Sequence, residues 1–188
     1  LDLDDRGWTT YQIDNGLAFA YYLNALKVSQ QIYETFPGYY IYSLTMLGNI
    51  SLNAMEYDNA EAYYLQAFSY LNRFEILNKD DSLYNAMLFQ LLGKVYHAKI
   101  DISSAKTYYQ ASIRIYETYM NNMPNDSKLE FAETLNNIGN IYSEDEDYYN
   151  AESCYLRSAN IKKYILGANH QEYALTLLNL SLLYYVMN

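Results

Sequence analysis

The sequence is short of several residue types at once. Its 188 positions hold one cysteine (Cys154), one tryptophan (Trp8), two histidines, two prolines and seven glycines. A lone cysteine excludes an intrachain disulfide and a cysteine-cluster zinc site. So few glycines and prolines ill suit the tight turns of a β-rich chain and fit a helical one. Basic residues are also scarce, 12 Lys and Arg against 22 Asp and Glu, giving a net charge of −10 and a pI near 4.5. Nucleic acid and anionic membrane both need clustered Lys and Arg to neutralise phosphate, so neither is an expected partner. A basic or neutral protein or peptide is. No run of 18 apolar residues and no charged-then-apolar leader is present, which favours the cytoplasm.

Chemistry-bearing motifs are missing as well. His97 and His170 lie far apart, with no paired ligand spacing. The acidic run Glu144-Asp-Glu-Asp147 lacks the ligand alternation and central glycine of a calcium loop. There is no glycine-rich phosphate loop, nucleophile elbow or Cys/His pair, so neither catalysis nor a cofactor is expected. Three matches to the glycosylation pattern, at Asn49, Asn125 and Asn179, read as chance.

What the sequence does hold is tyrosine, 25 of them in a chain 51% hydrophobic by count, enough to pack rather than stay disordered. It also repeats itself. Thr134-Leu-Asn-Asn-Ile-Gly-Asn-Ile-Tyr142 returns 42 residues later as Thr176-Leu-Leu-Asn-Leu-Ser-Leu-Leu-Tyr184. Gly48, Gly93, Gly139 and Ser181 hold one equivalent position, at spacings of 45, 46 and 42. Ala18, Ala60, Ala105 and Ala151 hold another, each opening an Ala-x-x-Tyr-Tyr-x-x-Ala/Ser signature; Cys154 replaces the first tyrosine of the fourth and reads as core filler. A period in this range signals one helical unit, repeated and stacked.

Apolar spacings of three and four predict helices over 17–36, 40–55, 59–77, 83–98, 102–121, 128–143, 149–166 and 171–187. An incomplete first helix within 1–13, carrying Trp8 and Tyr11, brings the count to nine. Asp14-Asn15-Gly16 is the expected turn after it, and Pro37-Gly38 is expected to end the second helix. Ser127-x-x-Glu130 and Asn169-x-x-Glu172 match the capping box, in which Ser or Asn accepts a backbone N–H and Glu reaches back. The repeated small residues mark where paired helices come closest. The tyrosine pairs, one turn on, are expected to fill the wider space between repeats.

Leu47-Gly48, Leu92-Gly93-x-x-Tyr96 and Ile138-Gly139-x-x-Tyr142, each followed twelve residues on by Ala60, Ala105 or Ala151, resemble the tetratricopeptide repeat. The longer period, with Leu166-Gly-Ala-Asn-His170 and Thr176-Leu177-x-Asn179-Leu180, is similar to the extended subtype of kinesin light chains and of bacterial arrays. That subtype usually has Pro after the loop His, where this chain has Gln171, and Ser51 stands where Tyr96, Tyr142 and Tyr184 recur. The resemblance implies an all-α fold, a right-handed superhelical solenoid of antiparallel helix pairs. It divides the chain into a partial repeat over 1–38, repeats over 39–80, 81–125 and 126–168, and the first helix of a fifth over 169–188. Starting part-way into one repeat and stopping inside another, the chain reads as a fragment of a longer protein.

The resemblance further implies that the first helix of each pair lines a concave groove. Counted from each glycine, the groove positions are Thr45, Asn49 and Asn53, with Leu52; then Gln90, Lys94 and His97, with Ala98; then Asn136 and Asn140, with Ser143 and Glu144. Leu178, Leu182, Tyr185 and Val186 follow on the last helix. Asn and Gln carry both donor and acceptor, so such a strip can hold an extended peptide backbone whatever its sequence. With Lys94 the only cation in the strip, a clamp for a terminal carboxylate is not expected. The leading expectation is therefore a non-catalytic interaction scaffold holding an extended peptide or a partner helix. Two alternatives stand beside it: a sensory or regulatory region docking on the effector domain of its own larger signalling protein, and self-association through the apolar terminal helix.

Overall fold

The computed structural model describes the backbone of residues 4–73 and 79–187 and the side chains of residues 16–73 and 80–187. Every regular element among these residues is a helix: α1 Asp4–Gln31, α2 Pro37–Asn53, α3 Tyr57–Leu71, α4 Lys79–Ala98, α5 Ile102–Tyr119, α6 Asn125–Glu144, α7 Tyr148–Leu166 and α8 Gln171–Met187. The chain divides into two compact units, Leu1–Ile76 with α1–α3 and Leu77–Asn188 with α4–α8.

Eight helices stand where nine are expected, because Asp14-Asn15-Gly16 makes no turn and α1 runs straight through it. One glycine inside a helix costs only about 1 kcal/mol, which the hydrogen bonds on either side outweigh. Gly16 is exposed, with no atom near where a Cβ would lie. The side chains of Trp8 and Tyr11 lie outside the described residues. Pro37 opens a helix rather than closing one. It sits at the first turn of α2, where an N–H would have no partner in any case. The helix before it ends earlier, at Gln31, and a turn closed by the Phe36 amide on the Ile32 carbonyl (2.8 Å) leads into the proline.

Within each pair the two helices are joined by the same tight turn. Met55, Ile100 and Glu146, at φ 61°, 63° and 60°, occupy equivalent positions in the left-handed region. In all three the next amide reaches back five residues, Glu56 to the Ser51 carbonyl, Asp101 to Tyr96 and Asp147 to Tyr142, at 2.8–2.9 Å. The left-handed residue bonds three back at the same time, so the last carbonyls of one helix are satisfied as the chain reverses. Two of the following helices then start on an aspartate cap: Asp101 accepts from the Ser104 amide at 3.1 Å and Asp147 from that of Asn150 at 3.3 Å. Neither predicted capping box forms. α6 begins at Asn125, before Ser127 could cap it, and Glu130 turns into the protein. At α8 the Glu172 amide donates to Nδ1 of His170 (3.2 Å), while its carboxylate is taken by Lys162.

The repeated glycines do mark close approach, and the residue that needs the space is the second tyrosine of each signature. Tyr64 lies on Gly48, Tyr109 on Gly93 and Tyr155 on Gly139. A Cβ would fall 2.6 Å from the Tyr109 ring at Gly93 and 2.8 Å from the Tyr155 ring at Gly139. These tyrosines therefore fill the inside of a pair, and Tyr109 and Tyr155 also reach the next repeat, packing with Ile138 and Ile141 of α6 and with Leu180 and Leu183 of α8. All three are buried, and burial raises each phenol, that of Tyr155 to about 12. Ala60, Ala105 and Ala151, one turn earlier, are fully buried. Where the signature closes on serine rather than alanine, its hydroxyl donates across the pair: Ser112 to the Ala86 carbonyl at 2.7 Å and Ser158 to that of Ala132 at 2.6 Å. Cys154, half-buried, has a thiol raised to about 11, by burial above all, as suits a packing residue.

In the first unit, the turn after α1 meets α2 and α3 through three mutually edge-on rings, Tyr33, Tyr40 and Tyr70, with centroids 4.6–5.6 Å apart. The Tyr33 hydroxyl donates to the Tyr70 carbonyl (2.9 Å), and the Arg73 guanidinium covers its ring. In the second unit, Leu83, Ala86, Tyr116, Met123, Phe131 and Leu135 form a core among α4, α5 and α6. Further along, Tyr155 and Ala159 of α7 pack with Leu180 and Leu183 of α8.

Candidate functional site

The first helix of each pair presents the residues from which a site can be built. In the first unit that helix is α2. Thr45 is buried, its hydroxyl donating to the Ile41 carbonyl at 3.0 Å, so it faces the packing and not solvent. Asn49 is half-buried, and its Oδ1 accepts from the Tyr64 hydroxyl at 2.7 Å. Asn53 is exposed at the end of the helix.

In the second unit α4 packs on α6 and α6 on α8, so their residues share a face. Gln90 lies inside it, fully buried. Lys94 pairs with Glu133 at 2.5 Å, and Nε2 of His97 lies 3.4 Å from Glu144. On the other side, Nδ2 of Asn179 donates to Oδ1 of Asn136 (3.1 Å) and to Oδ1 of Asn140 (3.4 Å). Asn140 also accepts from the Tyr155 hydroxyl at 2.8 Å. The second unit thus brings Lys94, His97, Asn136 and Asn140 onto one polar face and adds Asn179, which the sequence reading treated only as a chance glycosylation match.

One geometry recurs. Tyr64 to Asn49 and Tyr155 to Asn140 are the same contact, fifteen residues apart in each case. An asparagine beside the repeated glycine therefore serves the fold first: it accepts the phenol that the glycine makes room for. A buried hydroxyl without a partner would cost about 1–3 kcal/mol. Nδ2 of Asn49 donates to Met46 Sδ at 3.8 Å, while that of Asn140 takes no part in the tyrosine contact. In the third signature Lys94 stands at the asparagine position and turns to Glu133 instead.

Three further features escaped the sequence reading. Lys162 is 4% exposed and donates to Glu172 and to the Thr176 hydroxyl, both at 3.2 Å, and so ties α7 to α8. Its only sequence signal is a lysine on the inward stripe of an amphipathic helix. Glu130 is half-buried, and its carboxyl is raised above the ordinary range, first by burial and then by the charge of Glu133, with Lys94 opposing. Arg157 bridges α7 to α5 through Glu117 (2.7 Å) and lies over the Phe131 ring. Leu178, Leu182, Tyr185 and Val186 of α8 are exposed. Among the described residues no helix is long and apolar enough to cross a membrane, and no group of three or more His, Cys, Asp or Glu could hold a metal ion.

Comparison with known proteins bears on this arrangement. Residues 130–188 match the family model of the Tetratricopeptide repeat. Among solved structures the chain is similar to BtubC (BKLC) from P. vanneervenii, with a TM-score of 0.73 at 16% identity over 92% of this chain and 66% of that one. The chain thus spans a little under two thirds of that structure's length, and the likeness is one of fold. No curated protein matches it. The fold is a tetratricopeptide-like array of helix pairs, and repeats of this kind generally mediate interactions between proteins.

Proposed function

We propose that the chain is a non-catalytic protein-interaction scaffold whose second unit holds an extended peptide or partner helix on the face made by α4, α6 and α8. The observation that carries this reading is the amide cluster Asn136–Asn140–Asn179. Its internal bonds use Oδ1 of Asn136, Oδ1 of Asn140 and Nδ2 of Asn179. Nδ2 of the first two and Oδ1 of the third enter none of these bonds, and all three residues are half-exposed. Two donors and one acceptor on a part-exposed face match the needs of a peptide backbone, which offers one of each per residue. Asparagine is also a poor helix former, so three on neighbouring helices fit a use beyond helix building. The net charge of −10 favours a basic or neutral partner.

The test is a pull-down from host lysate, with the full chain beside an Asn136→Asp/Asn140→Asp variant. Aspartate keeps the oxygens that accept from Tyr155 and Asn179, and removes the amide donors. A specific partner retained by the native chain and lost by the variant, with helicity unchanged, supports the reading; undiminished capture overturns it.

A further inference from the structure

Where the end of α5 meets the start of α6 and the second half of α7 there is a cavity of about 400 Å³. It shares no residue with the amide cluster. Met120 and Ile161 form its inner wall and pack against the core that holds Met123 and Phe131, with half-buried Ile165 beside them. The ring of Tyr164 stands 85% exposed at the rim. Three polar side chains complete the lining: Lys128, half-buried, and the amides of Asn121 and Asn160. Among the described residues none of these three makes a side-chain hydrogen bond or ion pair. Most of the other described cations are engaged. Arg73, Lys94, Lys106, Arg157 and Lys162 are ion-paired, and Lys99 and Lys163 lie over tyrosine rings. A free ammonium with no carboxylate among the lining residues gives the cavity a charge opposite to the −10 of the whole chain. Nor does the repeat dictate these side chains. At the spacing of 46 that separates Ala105 from Ala151, Ile115 matches Ile161, but Arg114 and Thr118 stand where Asn160 and Tyr164 do.

We propose that this cavity binds a small organic anion, a carboxylate carried on an apolar body, with Lys128 as its counter-charge. The ammonium has three donors and no acceptor, and the two asparagines bring amide donors to the same cavity. Water meets these groups in the free protein. A carboxylate replaces it with a charge-assisted hydrogen bond in a part-buried setting, where such a bond is stronger than in bulk water. Met120, Ile161 and Ile165 offer apolar wall to the body of the ligand, and the exposed Tyr164 ring offers a flat face to a ring or chain. The volume falls within the range of small-ligand pockets, roughly 300–1,000 Å³, and mostly apolar walls with a few polar groups are their usual composition. An amine would meet Lys128 as a like charge, and a neutral ligand would leave the ammonium unanswered.

The experiment titrates the full chain with three probes of one shape, phenylbutyrate, phenylbutanol and phenylbutylamine, read by calorimetry and by backbone amide shifts. The native chain is compared with Lys128→Met, which keeps the stem and removes the charge, and with Tyr164→Ala, each after a thermal melt. The expected result is that the acid binds roughly tenfold or more tightly than the alcohol, and the amine more weakly than either. Amide shifts should centre on the residues that line the cavity. Lys128→Met should bring the acid down to the level of the alcohol and leave the alcohol unchanged, while Tyr164→Ala should weaken both by a similar factor. Equal binding of acid and alcohol, or an acid preference that survives Lys128→Met, would overturn the proposal, as would no binding at millimolar concentration. A capped peptide with glutamate between two leucines provides the last arm. If that peptide bound through Lys128 and phenylbutyrate did not, the cavity would be a docking point for an acidic protein and the small-anion proposal would fall.

Discussion

The same signature occurs four times and is used in two different ways. In α3, α5 and α7 its opening alanine and second tyrosine are buried, the tyrosine flat on a glycine of the helix before. In α1 the signature is Ala18-x-x-Tyr21-Tyr22-x-x-Ala25, and there Tyr21 is 72% exposed, Ala25 is exposed and Tyr22 only touches the edge of Tyr42. Full burial begins further on, at Ser29 of α1 and at Tyr33 in the turn that follows it, whose ring meets Tyr40 of α2. The difference follows from Asp14-Asn15-Gly16. Without a reversal there, the residues before Asp14 continue the same helix and do not fold back onto Ala18 and Tyr22 as α2, α4 and α6 do onto the later copies. Burial is thus a property of the pair of helices, not of the motif, as expected of an array in which each unit touches only its neighbours.

Substitutions at matched positions sharpen that contrast. The largest effect is expected at the tyrosines. Tyr109→Ala removes a fully buried ring and should cost about 3–5 kcal/mol, whereas Tyr21→Ala should change stability by no more than about 0.5 kcal/mol, both read by chemical denaturation. Equal losses would mean that α1 is packed like the other three.

The glycines come next, with opposite signs. At Gly93 an added methyl meets the Tyr109 ring, and overpacking of about 1–3 kcal/mol outweighs a gain of up to about 1 kcal/mol in helix propensity. At Gly16 the space is open, so Gly16→Ala should stabilise by up to about 1 kcal/mol. A destabilised Gly16→Ala would indicate a turn or a close neighbour at that point.

A smaller effect is expected in the turns that α1 lacks. Ile100 is β-branched, 83% exposed and left-handed, a conformation costing about 1–2 kcal/mol in an L-residue. Ile100→Gly relieves it and gives back part through unfolded-chain entropy, for a net gain of up to about 1 kcal/mol in a thermal melt. A loss would mean that the isoleucine side chain makes a contact that offsets its strain.

The smallest effect is one of pH. Glu130 has a carboxyl raised in the folded chain, mainly by burial. The folded state then holds its proton at pH values where the unfolded chain has released it. The stabilisation is fully present below the ordinary glutamate value, and it is lost as pH rises through the raised one. Glu130→Gln should flatten that fall. Asp101 works in reverse: its carboxyl is lowered, chiefly by the Ser104 hydroxyl and amide, so its cap weakens as pH falls through the acid range. Denaturation midpoints measured across the acid range for Glu130→Gln and Asp101→Asn separate the two slopes.

Much of this was legible in the chain. Recurrent glycines, alanines and tyrosines at spacings of 42–46 gave the helix pairs and their closest contacts, because steric demands at a helix crossing can be met only by particular side-chain sizes. Nothing in the sequence marked Asn49 and Asn140 as acceptors for Tyr64 and Tyr155. That bond joins residues fifteen apart on two helices, and only their crossing brings the phenol to the amide. Gln90, Lys162 and Glu130 were illegible for a related reason: polar residues on helices look solvated until a neighbouring helix covers them.

The sequence by itself determined the helical class, the repeat period and the positions where two helices touch, since these follow from side-chain volume and local backbone preference. Only the tertiary structure decided whether Asp14-Asn15-Gly16 turns or continues, which asparagine oxygens accept from a tyrosine, and which carboxyl is raised by burial. Each of those is a balance of about 1 kcal/mol, tipped by what packs against it.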